Sequence, residues 1–180
     1  MPRCTLGVAI AVPEPYAGEL EAWRERFGDR LAHSIPAHIT LLPPLTAIPA
    51  RVPAIEAHLA AVAAAAAPFD IQLAGTATFR PVSPVVFVRL VEGAEGCEKL
   101  ESAVRDGPLR RTLEFPYHPH VTVAHDVGEA TLDDAEVALR GYAARFTVEG
   151  FSLYEHGSDG VWRPRRGFVF GLPANALPAC

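Results

Sequence analysis

The chain has 180 residues, of which 49% are hydrophobic and 21% charged, and its formal net charge is −5 at pH 7. This composition is ordinary for a globular protein, and the length predicts one domain with a sizeable apolar core. The acidic balance argues against a basic face that tracks long nucleic acid, but it allows a small anionic ligand in a local basic pocket. Three widely spaced cysteines predict neither a disulfide framework nor a zinc knuckle, which fits the reducing cytoplasm.

Five elements are predicted in the first half of the chain. Short β-branched and apolar runs indicate strands, and apolar residues at helical spacing indicate helices. These elements are a strand over 5–12, a helix over 14–27, a strand over 37–42, a helix over 53–66 and a strand over 69–79. Leu20, Trp23 and Phe27 form the apolar stripe of the first helix, with charged residues on the opposite face. Pro43 and Pro44 are expected to stop the second strand.

The second half of the chain continues the alternation of strands and helices. Its predicted elements are a strand over 85–90, a helix over 95–109, a strand over 120–124, a helix over 132–140, and a closing hairpin of strands over 146–154 and 161–170. Seven strands and four helices in mixed order predict an α+β (mixed α/β) fold rather than a doubly wound sheet. The apolar N-terminal run ends before Pro13 and is too short to span a membrane.

The pattern His-apolar-Thr-apolar occurs twice, once in each half of the chain. The copies are His38-Ile39-Thr40-Leu41 and His120-Val121-Thr122-Val123. On a strand, residues i and i+2 share a face, so each motif places an imidazole beside a hydroxyl and buries the residue between them. Two such strands facing each other would form a cleft lined by two imidazoles and two hydroxyls.

These side chains suit acid–base chemistry on a phosphodiester without a metal or another cofactor. Hydrolysis needs a base that activates water and an acid that protonates the leaving oxygen. Imidazole titrates near neutral pH, so one neutral and one protonated histidine can coexist at pH 7. We therefore predict that His38 and His120 are the acid–base pair, in either order, and that Thr40 and Thr122 donate hydrogen bonds to the phosphate.

The paired motifs and their flanks resemble the two-histidine (2H) phosphoesterase superfamily, and within it the bacterial 2′-5′ RNA ligase and RNA 2′,3′-cyclic phosphodiesterase group. The most specific matching segment is 115–124, and segments within 37–41, 79–90 and 151–163 also match. The resemblance implies a bilobal, pseudo-twofold fold in which two small antiparallel sheets with outer helices enclose a central cleft. We expect residues 1–171 to form this single domain, followed by a loosely ordered tail over 172–180.

The resemblance also implies a function. This is hydrolysis of a 2′,3′-cyclic phosphate, or of a 2′-5′ linkage, at a nucleotide or RNA end to a 2′-phosphate, with RNA ligation as the reverse reaction. A small phosphodiester metabolite is an alternative substrate, and the acidic net charge favours small substrates over long RNA. A catalytically idle module that holds a nucleotide or phosphorylated metabolite in the same cleft is the alternative function. We expect a cytoplasmic monomer that needs no protein partner and binds no membrane.

Two residues near the second motif are predicted to contact the substrate. Tyr117 is predicted to stack on a base, with simple packing as the alternative. His125 occupies the place where the resembled family often has a basic residue, commonly arginine, and is predicted to contact the phosphate unless it is an ordinary exposed histidine. His118, His120, His125 and Asp126 could instead bind a metal, but their spacing matches no standard zinc pattern, so we expect no metal.

A cluster of arginines beside Trp162 is the remaining candidate for phosphate binding. Arg163, Arg165 and Arg166 resemble a phosphate or nucleic-acid patch, but charges at a hairpin edge also prevent association between strands. If Arg163 and Arg165 share one face of a strand, Arg166 points to the other face. The interpretation as a solvated hairpin edge is therefore favoured.

Overall fold

The structure is a computed structural model that describes residues 3–172. Within this range it contains four α-helices and eight β-strands, which confirms the mixed α/β class. In chain order the elements are β1 (Cys4–Ala11), α1 (Tyr16–Arg26), β2 (His38–Ala47), α2 (Val52–Ala65), β3 (Phe69–Thr78), β4 (Val85–Glu92), α3 (Ala94–Val104), β5 (His120–His125), α4 (Glu129–Ala138), β6 (Ala143–Val148), β7 (Gly150–His156) and β8 (Trp162–Val169). The tail predicted over 172–180 lies outside the described residues except for Leu172.

The strands form one antiparallel sheet in the order β6-β3-β4-β5-β2-β1-β7-β8. The sheet differs from the expected pair of small sheets because it is continuous, with four strands on each side of a central seam between β5 and β2. This seam is narrow, since the only registered residue pair across it in the described chain is Ile39 with Val121. The two motif strands are therefore neighbours in one sheet.

Helix packing adds to the connection between the two halves of the sheet. Helix α1 follows β1 but contacts β5 in the other half, and α3 follows β4 but contacts β2. Helix α2 contacts β7 and β8, while α4 contacts β3, β4 and β5. The buried faces of helices and sheet form an apolar cluster that includes Leu20, Ile39, Leu59, Val121 and Leu132. Burial of apolar surface therefore holds the halves together where the backbone ladder is shortest.

Strand β2 continues through Pro43 and Pro44, where the sequence predicts its end. The register between β1 and β2 shifts next to these prolines, so they lie in an irregular step of the ladder. On its other edge β2 pairs with β5 only at Ile39. Neither proline therefore faces a strand that requires its missing N–H, which is the situation in which a strand tolerates proline.

The predicted strand over 146–154 is two strands in different halves of the sheet. Strand β6 pairs with β3, whereas β7 pairs with β1 and β8. The chain crosses between the halves at Glu149 and Gly150. A Cβ atom on Gly150 would overlap the carbonyl oxygen of Phe168, so a residue without a side chain is needed where β7 begins beside β8.

Two predicted helix boundaries also change. Helix α3 ends at Val104 instead of 109, because Gly107 adopts a left-handed conformation (φ 55°) and begins a separate 3₁₀ turn over Gly107–Leu109. Helix α4 begins at Glu129, before the predicted start. Of the helices within residues 3–172, none is both long enough and apolar enough to cross a lipid bilayer.

The variant Ile39→Ala is expected to lower the free energy of unfolding by about 2–5 kcal/mol, the usual cost of truncating a buried isoleucine. Ile39 is 0% exposed and lies at the seam, so the resulting cavity would adjoin both halves of the sheet. Ile48→Ala is the matched control, because Ile48 is 40% exposed, and its effect should stay within about 0.5 kcal/mol. Urea unfolding followed by circular dichroism measures both variants, and equal losses would contradict the prediction.

Candidate active site

The register across the seam brings the two motifs together. The residues between histidine and threonine in the two motifs are opposite each other and fully buried. One step along antiparallel strands in each direction therefore places His38 opposite Thr122 and Thr40 opposite His120. All four side chains line one cleft with a cavity of about 280 Å³. Each imidazole thus has a threonine of its own motif along the strand and a threonine of the other motif across it.

Both imidazoles are held by the same kind of hydrogen bond. Nδ1 of His38 lies 2.8 Å from the carbonyl oxygen of Pro36, and Nδ1 of His120 lies 2.7 Å from the carbonyl oxygen of His118. A carbonyl can only accept, so Nδ1 carries the proton and donates it in both rings. Nε2 is therefore the nitrogen with a free lone pair. Since no fully buried side-chain nitrogen in the described range lacks a partner, Nε2 keeps contact with solvent, and both rings line the cleft.

Burial favours the neutral form of both imidazoles. It lowers the pKa of His38 from 6.5 to about 4, with smaller contributions from the positive charges of Arg24 and His120, while the bond to Pro36 opposes the shift. Burial also lowers the pKa of His120, against the bond to His118. Desolvation therefore disfavours charge on both rings of the ligand-free site, and the coexistence of one neutral and one protonated histidine at pH 7 stays a prediction.

Aromatic rings provide the apolar surroundings of His120. The ring centroid of Phe79 lies 4.9 Å from that of His120 in an edge-on arrangement, and that of Phe87 lies 5.1 Å away. The ring of His118 stacks at 6.2 Å. These contacts fix the imidazole plane from several sides, so Nε2 has a defined direction into the cleft.

The cleft walls differ in chemistry. Leu31, Ile35, Tyr154 and Trp162 form an apolar wall beside β1, β7 and β8. Gly7 lies directly beneath the tryptophan, where an added Cβ would be 3.3 Å from its Cζ3 atom. Within the described chain no carboxylate lines the cleft. The cleft therefore combines an apolar wall with a polar end at the two motifs, which suits a ligand with an organic part and an anionic group.

The two further predicted contact residues lie in different places. His125 lines the cleft, and its Nε2 atom is 3.6 Å from Oδ2 of Asp126. Tyr117 is absent from the cleft lining within residues 3–172, and its ring packs against the core. Its hydroxyl donates a hydrogen bond of 3.0 Å to the carbonyl oxygen of Thr40. These contacts make Tyr117 a support for the first motif, and base stacking by this residue stays a prediction that they do not favour.

The arginine cluster lies outside the cleft and is fully ion-paired. Arg163 bonds Asp159, Arg165 bonds Glu56 and Glu155, and Arg166 bonds Glu56. The hairpin-edge interpretation agrees with this arrangement. Across the part of the chain that the structure describes, no group of three or more His, Cys, Asp or Glu side chains is arranged to hold a metal ion.

One residue of the cleft is missed by the sequence pattern. The pattern places Arg24 on the charged, exposed face of the first helix, but it lines the cleft and is only 3% exposed. Ala17, Leu20 and Arg24 are the buried residues of α1, and they share one helical stripe. Trp23 and Phe27 are only partly buried and stack on each other. The helical spacing contains this signal, but a charged residue within an apolar stripe ordinarily indicates a solvent-facing position.

Comparison with known proteins places this architecture in a family. The sequence profile of the 2′-5′ RNA ligase superfamily matches residues 12–160. The chain therefore belongs to the 2′-5′ RNA ligase superfamily, which confirms the resemblance found in its sequence.

Relatives cover nearly the whole chain. The protein named "Putative phosphoesterase GK0864" from Geobacillus kaustophilus is 27% identical over 167 residues, covering 92% of this chain and 95% of the relative. A protein of the same general name from Bacillus pumilus is 28% identical over 167 residues, covering 92% of this chain and 96% of the relative.

Solved structures share the fold. Ligand-free LigT from E. coli superimposes with a TM-score of 0.68 at 19% identity, covering 94% of this chain and 99% of LigT. TT0787 from Thermus thermophilus gives a TM-score of 0.60 at 25% identity, covering 93% of this chain and 98% of that protein. The likeness to LigT is evidence for the fold alone, so substrate and mechanism have to be argued from this chain's own residues.

The lowered pKa of His38 predicts a pH dependence of stability. The pKa is about 4 in the folded protein and about 6.5 in an unfolded chain. Between these values the unfolded state binds more protons, so the free energy of unfolding rises as the pH increases through this window. His38→Asn should flatten this rise, measured as the urea midpoint against pH. His33→Asn is the control, because that side chain is 81% exposed, and an equal effect in both variants would contradict the prediction.

Proposed function

We propose that the protein is a metal-independent phosphodiesterase that opens 2′,3′-cyclic phosphate ends, or cleaves 2′-5′ linkages, of nucleotides or RNA to 2′-phosphates. The observation that carries the proposal is the paired arrangement of the motifs. Two imidazoles with free Nε2 atoms share one cleft, and each is opposite a threonine of the other motif. A proton transfer on each side of a phosphorus atom requires one such imidazole on each side.

The reaction needs one proton transfer at each histidine. One imidazole accepts a proton from water at Nε2 while the water oxygen attacks phosphorus. The bond between phosphorus and the ribose 3′-oxygen breaks, and the other imidazole donates its Nε2 proton to that oxygen. Thr40 and Thr122 donate hydrogen bonds to the non-bridging oxygens as negative charge builds up on them. Exchange of one proton with solvent restores both rings after product release.

The acid obtains its proton when the substrate binds. Burial favours the neutral form of both imidazoles in the ligand-free cleft, because it lowers the pKa of each. An anionic phosphodiester beside the rings favours the charged form and offsets this effect. Binding of substrate and uptake of one proton are therefore coupled, and the empty site avoids holding a buried imidazolium without a counter-charge.

The apolar wall supports a nucleoside as the organic part of the substrate. Trp162 and Leu31 line the cleft beyond the motif residues, and the tryptophan offers an aromatic surface to a base. The structural neighbour LigT has been solved with 3′-AMP and with ATP. A nucleotide or a short RNA end, rather than long RNA, agrees with this chain's net charge of −5.

Turnover of the four nucleoside 2′,3′-cyclic monophosphates in the presence of EDTA tests the proposal. Wild type is expected to release 2′-phosphates, and His38→Ala and His120→Ala should each lower kcat by about 10²- to 10⁴-fold, the contribution of one acid or base. His33→Ala is the control, since that side chain is 81% exposed and outside the cleft. The product isomer is assigned by chromatography against 2′- and 3′-monophosphate standards.

Two outcomes would contradict the proposal in different ways. Near-normal turnover in both histidine variants would refute the two-histidine mechanism. No turnover of any of the four substrates by wild type, together with binding of the corresponding 2′-monophosphates, would favour the catalytically idle nucleotide-binding module.

Trp162→Ala is expected to raise KM for a nucleoside cyclic phosphate by about tenfold, because stacking of one base is worth about 1–3 kcal/mol. kcat should change little, since the indole transfers no proton in the proposed mechanism. A cyclic phosphate of ethylene glycol, which has no base, should show no increase in KM. Trp23→Ala removes the other tryptophan, which stacks on Phe27 outside the cleft, and serves as the control. If Trp162→Ala raises KM equally for both substrates, stacking of the base on Trp162 is excluded.

A further inference from the structure

Arg24 is a buried cation held from two sides. It lies on α1 and is 3% exposed. Its Nε atom donates to Oδ2 of Asp29 at 3.0 Å, and its Nη1 atom donates to the carbonyl oxygen of Ile35 at 3.2 Å. The other carboxylate oxygen of Asp29 accepts from the backbone N–H of Leu31. The guanidinium is therefore fixed in orientation by the segment that connects α1 to β2.

The third nitrogen of this guanidinium is free. Nη2 makes no hydrogen bond to any group within residues 3–172. Since no fully buried side-chain nitrogen or oxygen in that range lacks a partner, Nη2 must keep contact with solvent. Arg24 lines the cleft that contains both motifs. The cleft is thus where the free N–H groups of Arg24 are available to a ligand.

Arg24 also differs from the other arginines near the site. Among the described residues, it is the only lysine or arginine in the cleft lining. Arg24 is itself ion-paired with Asp29, but only through Nε. The arginines of the last hairpin are ion-paired outside the cleft, and Arg80 bonds Glu129, Asp133 and Glu136 on α4. A phosphodiester carries a negative charge that neutral threonine hydroxyls alone do not balance.

We propose that Arg24 binds the anionic phosphate of the substrate through Nη2 and is the cation that the cleft provides for this charge. The inference rests on the proposed function, because it assigns the phosphate-binding cation of that same site. Arginine presents a planar set of donors suited to phosphate oxygens, and one already held by Asp29 and Ile35 loses little side-chain entropy on binding.

The position of Arg24 also makes the two histidines unequal. Its charge lowers the pKa of His38 but is not among the groups that shift the pKa of His120. A permanent cation near His38 opposes protonation of that ring, whereas the neighbour that lowers the pKa of His120 by its charge is another histidine, His118.

Binding of inorganic phosphate tests this role without turnover. The imidazole signals of His38 and His120 in NMR titrations report both phosphate affinity and the pKa of each ring. Arg24→Gln is expected to weaken phosphate binding by about ten- to hundredfold, the loss of hydrogen bonds to a charged group. The same variant should raise the pKa of His38 and leave that of His120 unchanged. Arg24→Lys, which keeps the charge but loses the planar donors, should fall between wild type and Arg24→Gln.

Asp29→Asn is the matched control for a purely structural role. Asparagine keeps the shape and an acceptor for Nε but removes the charge that anchors the connecting segment. If Arg24 binds phosphate, Asp29→Asn should retain phosphate affinity, and the pKa of His38 should not rise. If both variants weaken phosphate equally and shift His38 in the same direction, Arg24 acts only by holding the segment, and the proposal is wrong.

A second-site variant provides a further test. His125 lines the same cleft from β5, so an arginine at that position can present a cation to the same ligand. His125→Arg should restore phosphate binding in the Arg24→Gln background to within a few-fold of wild type. A structural defect in the connecting segment would not be repaired from the other half of the sheet.

The wild-type protein keeps the proposal testable if Arg24→Gln fails to fold. The Nη–H signals of Arg24 are expected to shift and sharpen when phosphate is added, since a bound anion slows rotation of the guanidinium. If the Arg24 signals stay unchanged at phosphate concentrations that saturate the shifts of the histidine signals, the role of Arg24 is wrong but the proposed function is not affected. If phosphate shifts neither histidine in wild type, the proposed function fails as well.

Discussion

The pairing of Ile39 with Val121 is the constraint on which the rest of the site depends. It is the one registered residue pair across the seam among the described residues. Because side chains alternate along a strand, it places each histidine opposite the threonine of the other motif. A shift of the register by one residue would point the histidine and threonine of one motif into the core and the apolar residue between them into the cleft. The side chains of Ile39 and Val121 are buried, and this burial stabilises the short ladder. Helices α1 and α3 stabilise it further, because each contacts the half of the sheet that does not contain the strand before it.

Burial beside this seam decides the charge state of the site. Apolar neighbours lower the pKa of both imidazoles, and backbone carbonyls hold Nδ1–H in each ring. Both rings therefore have a free lone pair at Nε2, and an anionic ligand would favour protonation there. The same desolvation that disfavours charge in the empty cleft strengthens the attraction between an imidazolium and a phosphate once water is displaced. In our proposal the ligand therefore completes the catalytic protonation state.

The two motifs are close to symmetric, but their surroundings are not. The β1–β7–β8 side contributes the apolar wall, while the other side contributes His125 and the aromatic rings around His120. Helix α1, which packs against β5, contributes the guanidinium of Arg24. A symmetric pair of imidazoles would give two equivalent bases. Unequal charge around them is a physical basis for unequal pKa values of the two rings, because a nearby cation stabilises the neutral ring.

The class of fold, most strands and helices, and the two motifs can be predicted from the amino-acid sequence, because these depend on local periodicity and on residues two positions apart. It could not determine that Pro43 and Pro44 remain within a strand or that the segment 146–154 divides between the two halves of the sheet, since both depend on which partner strand lies alongside. It also missed Arg24, whose charge predicts exposure. The tertiary structure buries this arginine at the cleft, because the segment after α1 turns back so that Asp29 and the carbonyl oxygen of Ile35 bond the guanidinium and compensate its desolvation.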